Sequence, residues 1–212
     1  MILAGCVAAA LHQSALGNLL VITPYKLHPL WYTPVLSALF LVSAVGGGGF
    51  AMMCWESLFA SWCLKLKPEM HVLSALAKFI PPIMGLYLVG KLADMYFRHT
   101  YSYLAHPDHH GIMWLIEVAA GVAVPVLMLL FARVRNSPRL LFTAATLIVA
   151  GVIFNRINVF LIGYHPPFGK TYIPSIAEFG ITLGLIAFLM FGYRLAVTYL
   201  PIISQPVKGA HA

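Results

Sequence analysis

Charge is scarce in this 212-residue sequence: 13 Lys and Arg with 6 Asp and Glu make up only 9% of it, where a soluble surface normally carries about a quarter charged residues. Together with 61% hydrophobic residues and a mean hydropathy of +0.88, that shortage excludes a soluble fold, a disordered chain and a free-standing nucleic-acid binder. The net charge of +7 is not a nucleic-acid signal, because the basic residues fall between apolar runs or at their ends. Cysteine is also sparse. Cys6, Cys54 and Cys63 lie in apolar runs without Cys-x-x-Cys spacing, which argues against a disulfide framework or thiolate metal site and for small buried hydrophobes. Period-two alternation is missing, so the long apolar runs are not barrel strands. No basic segment precedes the first apolar run, and no cleavable signal peptide is expected.

What is present is an all-α, polytopic transmembrane bundle of about six spans. A bilayer core needs about 20 apolar residues per helix, and that ruler predicts spans at 1–22, 34–62, 72–97, 112–132, 139–163 and 174–200. Proline, glycine, histidine and charge mark the breaks, for example Lys65-Leu-Lys67-Pro68-Glu69 and His106-Pro-Asp-His-His-Gly111. Lys65, Lys67, Lys78, Arg133, Arg135, Arg139, Arg194 and Lys208 fall on one side, against Lys26, Lys91, Arg98 and Lys170 on the other. The positive-inside rule makes the first side, with both chain termini, cytoplasmic. In a bacterium the Pro- and His-rich loops then face the periplasm. Tyrosines and tryptophans near both boundaries, Trp31, Trp55 and Trp62 among them, read as interfacial belts. Gly46-Gly-Gly-Gly49, inside a span, suits close helix packing or a kink better than phosphate binding.

Ionisable residues inside spans carry the most information, since each costs about 2.5–3.5 kcal/mol or more at the bilayer centre. Glu56, Glu117, Arg156 and Glu178 lie well within apolar sequence, while Lys91 and Asp94 sit one helical turn apart and are expected to pair. Three acids face one deep cation, Arg156, on this reading. Either the acids hold the helices together through pairing and hydrogen bonds, or they carry protons. His12, followed by Gln13 and Ser14, is the one histidine inside a span. It can bond a neighbouring helix, or bond a quinone carbonyl and deliver protons. A lone span histidine is insufficient for transmembrane haem ligation, which uses paired ligands. His106, His109 and His110 are expected in a solvated loop, not in a metal site.

Leu11-His-Gln-Ser-Ala-Leu-Gly17, followed by Lys26-Leu-His-Pro-Leu-Trp31, resembles the NrfD/PsrC superfamily of quinone-interacting membrane subunits, most closely its Hyb-type [NiFe] hydrogenase branch. Glu56-Ser-Leu58, Trp114-Leu-Ile-Glu117, Arg133-Val-Arg-Asn136 with Arg139-Leu-Leu-Phe142, Asn155-Arg156 and Tyr172-Ile-Pro-Ser-Ile-Ala-Glu178 support it. The resemblance implies the C-terminal half of a ten-span architecture. Residues 1–22 would be the last helix of an incomplete quinone-binding bundle, 34–163 a second four-helix bundle, 174–200 a final helix and 201–212 a cytoplasmic tail. The family implies no haem and no cofactor bound by this chain alone. Menaquinone or ubiquinone would be the substrate, at a site shared with missing helices or a second membrane chain. A periplasmic iron-sulfur subunit and a catalytic subunit would be the partners, with lipid around the helices.

Two function classes follow. In the first, the chain couples a respiratory oxidoreductase to quinone, with His12, Gln13 and Ser14 at the quinone and Glu56, Glu117, Arg156 and Glu178 on a proton path. In the second, it is a purely structural anchor for the extrinsic subunits. The outer loops at 23–33, 98–111 and 164–173 are expected to be ordered against a partner.

Overall fold

The computed structural model describes residues 2–63, 65, 67–105, 108–165 and 175–199, with the side chains among them except those of 2–10, 105, 193 and 196–198. His106, Tyr172 and the tail named above lie outside the described residues. Every long element is a helix: α1 (Ile2–Val21), α2 (Leu36–Cys63), α3 (Met70–Phe97), α4 (His109–Leu130), α5 (Pro138–Ile162) and α6 (Ile176–Tyr199). Helices α2 to α5 are each long and apolar enough to cross a membrane. Their bounds fall within three residues of the predicted spans because proline and charge end the runs in both readings.

Local chemistry sets the irregularities. The glycine run in α2 lies in a wide π-type stretch, Ala44–Ala51, with Gly46 and Gly47 buried, as small residues allow in a helix carrying extra residues per turn. In α3 the regular helix is interrupted after Ala77 and resumes at Ile80. Pro81 and Pro82 follow there, and neither can donate the amide bond that would carry the ladder through. At α5, Pro138 occupies the first turn, where its missing N–H costs nothing.

Residues 1–171 and 172–212 form two units. In the first, α2 to α5 pack as a bundle, with α1 laid along the first half of α2. Lipid tails are as apolar as leucine, so close packing must replace the hydrophobic drive between spans. Gly121 of α4 and Gly151 of α5 supply it: a Cβ on Gly151 would stand 2.4 Å from the Gly121 Cα. Gly17 does the same for α1, where a Cβ would lie 2.6 Å from the Ser37 Cα. The interior holds two apolar clusters. One gathers Leu58, Leu73, Leu129 and Leu141 toward the basic end, and the other Leu27, Trp31, Trp114 and Val159 toward the histidine-rich end. In the second unit, Ser175 and Glu178 begin α6 with a reciprocal cap. The Glu178 amide donates to Ser175 Oγ at 3.3 Å, and the Ser175 hydroxyl donates to Glu178 Oε1 at 3.2 Å. A serine oxygen accepting the amide three residues on is the usual cap of a helix N-terminus.

Candidate functional site

The two apolar clusters meet around a carboxylate. Glu117, on α4, is 2% exposed, and both of its oxygens are occupied. Oε1 accepts from the Lys91 ammonium of α3 and from Asn155 Nδ2 at 2.8 Å. Oε2 accepts from Trp31 Nε1 at 2.9 Å and from Asn158 Nδ2 at 2.7 Å. A buried charge is tolerated only when paired and bonded in this way. The Lys91 ammonium also lies 5.4 Å from the Trp114 ring and 5.7 Å from the Tyr87 ring, within cation–π range.

Arg156 joins this network at one remove. Its guanidinium stands 3.5 Å over the Phe40 ring and donates to Asn155 Oδ1 at 3.2 Å and to Ser43 Oγ at 3.3 Å. Asn155 thus relays between them, accepting from Arg156 and donating to Glu117. Two small cavities border the network, of about 20 Å³ beside Lys91, Asp94 and Asn155 and about 10 Å³ beside Ser43, Glu117 and Asn155. A single water needs about that much room, and a quinone ring far more.

Two expectations are corrected here. Lys91 does not pair with Asp94; it faces inward to Glu117, and Asp94 meets Arg98 at 3.4 Å. Both side chains of that second pair are partly exposed, near the helix end, where Arg98 also donates to the Tyr32 carbonyl and lies 5.1 Å from its ring. Arg156 is therefore not the sole deep cation, and Glu117 is neutralised by Lys91.

Above the carboxylate, three connections come together. The His28 amide donates to the Gly163 carbonyl at 2.7 Å and the His165 amide to the Lys26 carbonyl at 2.7 Å, tying the first connection to the end of α5. The His28 ring stacks on His110 at 4.6 Å and meets Trp31, Tyr103 and His165 edge-on at 5.5 to 5.8 Å. Burial, helped by the neighbouring His110 and His165, lowers the pKa of His28 from 6.5 to about 4. Among the described residues no three His, Cys, Asp or Glu side chains converge to hold a metal ion. Trp31 bridges the layers, with its ring against His28 and His110 and its indole N–H on Glu117.

The remaining candidates are dispersed. His12 is exposed on α1. Ser14 faces α2, its hydroxyl 2.7 Å from that of Ser37, so positions 12 and 14 point to different sides of the helix. Gln13 is half-buried, and its Oε1 has no hydrogen-bond partner among the described residues. Glu56 is exposed on α2. Glu178 takes part in the α6 cap, within the other unit.

Sequence reasoning missed Lys91, Asn155, Asn158 and Trp31 as partners of Glu117. Two asparagines inside an apolar span were the available signal, since an amide there needs a bond.

The sequence pattern described as polysulphide reductase, NrfD matches residues 2–166. The chain belongs to that family. Helices α2 to α5, together with the family, make it a multi-pass membrane protein. It is 27% identical over 96% of its length to a probable Ni/Fe-hydrogenase 2 b-type cytochrome subunit of Escherichia coli (strain K12), covering 52% of that protein. It is 25% identical over 96% of its length to the integral membrane subunit of a menaquinone reductase of Nitratidesulfovibrio vulgaris, covering 54%. A putative dimethyl sulfoxide reductase membrane subunit of Halobacterium salinarum is 22% identical over 86% of the chain, covering 49% of that protein. The chain spans about half the length of these curated relatives. No solved structure matches it.

Proposed function

We propose that this chain is a membrane subunit of a respiratory oxidoreductase. It anchors an iron-sulfur subunit and a catalytic subunit on the histidine-rich side and couples their electron transfer to menaquinone or ubiquinone. Family membership over residues 2–166 carries this reading, and one relative is the membrane subunit of a menaquinone reductase. The basic end, with Lys65, Lys67, Arg133, Arg135 and Arg139, is placed in the cytoplasm of a bacterial inner membrane.

The quinone site is assigned to the α1 face bearing His12 and Gln13, completed by helices from outside this chain. Quinol oxidation releases two protons with its two electrons. An imidazole and an unpartnered amide oxygen are groups that can bond a quinol hydroxyl and accept one of those protons. Ser14, bonded to Ser37, supports the helix that carries them. The second bundle holds the Glu117 network, which is assigned to proton movement, with water-sized spaces on either side of Asn155. Glu56 and Glu178 are assigned to the same proton path.

One observation favours the structural reading for Glu117 alone: four donors from three regions of the chain fix its carboxylate. Such a group braces helices as readily as it moves protons. An inventory of the purified complex by mass spectrometry separates the coupled subunit from the plain anchor. An iron-sulfur protein and a second membrane chain, or a longer form of this one, are expected beside bound quinone. A complex with extrinsic subunits but neither quinone nor further spans would favour the anchor.

A further inference from the structure

A further cavity shares no lining residue with those around Glu117. It measures about 550 Å³ and opens where α2 ends and α5 begins, between Leu58, Phe59 and Trp62 on one side and Phe142 on the other, with Ser61, Arg139 and the indole N–H of Trp62 as its hydrogen-bonding groups. The size is that of a ligand site. We propose that this groove binds an anionic phospholipid, with an acyl chain along the apolar wall and the phosphate on Arg139.

Three features carry the assignment. The wall is a ladder of stacked rings: Trp55 lies 5.1 Å from Phe59 and 6.0 Å from Phe142, and Phe59 lies 6.1 Å from Trp62. Flat, rigid apolar surface of this kind suits a hydrocarbon chain, and Trp62, 77% exposed, stands at a span end, where indole favours the headgroup boundary. The charge at the mouth is uncommitted. Arg135, nearby in sequence, is engaged by the carbonyls of Leu129 and Leu130 at 2.7 and 3.1 Å. Arg139 has no side-chain hydrogen bond or ion pair among the described residues, and a guanidinium matches phosphate oxygens in pairs. The flanking connections supply Lys65, Lys67, Arg133 and Arg135 against a single acid, Glu69, and basic pockets between spans on such a face recruit anionic headgroups.

A quinone is the competing occupant, and the lining disfavours it. Reduction of a quinone needs proton donors at its carbonyls, and no carboxylate, imidazole or thiol lines this cavity. Arginine holds its proton throughout. A phospholipid asks only for a permanent cation and an apolar slot.

The test uses the full chain with its copurifying chains, delipidated and followed by native mass spectrometry. Dioleoyl phosphatidylglycerol is expected to bind about tenfold more tightly than dioleoyl phosphatidylcholine, a difference of about 1.4 kcal/mol. Arg139→Gln should erase that preference, Arg139→Lys should retain part of it, and Ser61→Trp, which fills the mouth, should weaken both lipids. Excess inorganic phosphate should not displace the lipid, because the acyl chain supplies the affinity. Equal binding of the two lipids, an unchanged preference in Arg139→Gln, displacement by phosphate alone, or a ubiquinone analogue retained in place of lipid would each overturn the proposal.

Discussion

Removing the Lys91 ammonium should be among the most damaging single changes available in the bundle. In Lys91→Met the Glu117 carboxylate stays 2% exposed but keeps only neutral donors, Trp31, Asn155 and Asn158. Breaking a buried pair by removing one partner costs about 3–5 kcal/mol. For a chain of this size 1 kcal/mol moves the melting temperature by about 2–4 °C, so a loss of about 6–20 °C is expected. Glu117→Gln should be comparably harmful, because it leaves the buried Lys91 ammonium without its counter-charge and the new amide meets the donors of Lys91 and Trp31, which cannot accept. The double variant Lys91→Met/Glu117→Gln buries no unpaired charge from this pair and should lose less than the two singles added together, by about 1–3 kcal/mol. Cys54, buried and free, reports unfolding through a thiol-reactive fluorophore in a background where Cys6 and Cys63 are serine. A melting point within about 2 °C of the parent for Lys91→Met, or strict additivity in the double variant, would refute the buried pair.

Further outcomes can be checked in the same assay. Gly151→Ala should lower the melting temperature by an amount matching about 1–3 kcal/mol or more, since its Cβ would press on Gly121 backbone; Gly48→Ala, with nothing within 4 Å, should leave it unchanged or raise it. His28 is held neutral when folded, with a pKa of about 4 against 6.5 unfolded. The unfolded chain therefore binds more protons between those values, and this contribution is present at neutral pH and lost as pH falls from about 6.5 to 4. Asp108, His109, His110 and His165 face or adjoin that ring, so His28→Gln should flatten the slope without abolishing it. Glu56→Gln should change the stability of the chain by less than about 0.5 kcal/mol; any effect should surface only in the assembled complex, as lost proton uptake in proteoliposomes.

The helices were legible in the sequence and their meetings were not. Span length, proline breaks and the flanking bases placed α2 to α5 within a few residues, because membrane insertion reads hydropathy along the chain. Glu117 stood out as a buried acid for the same reason. Its partners lie 26 to 86 residues away, and which faces of α3, α4 and α5 meet depends on packing details such as the Gly121–Gly151 contact, which hydropathy does not encode. Lys91 was assigned to Asp94 on local spacing alone, and the tertiary pair won. Trp31 looked like one more interfacial aromatic until the fold brought its indole over the bundle. The start of α6 was legible as well, since Ser175-Ile-Ala-Glu178 carries a helix-start pattern and the helix begins at Ile176.

The coupling of this chain to quinone is tested most directly by quinol-linked turnover of the purified complex with His12→Ala. If His12 bonds the quinone, the complex should still purify with its full set of chains, while turnover should fall about 10²-fold or more, the scale of a lost acid–base group, with weaker apparent quinone affinity. Wild-type turnover and affinity in His12→Ala would contradict the assignment and remove this residue from the site.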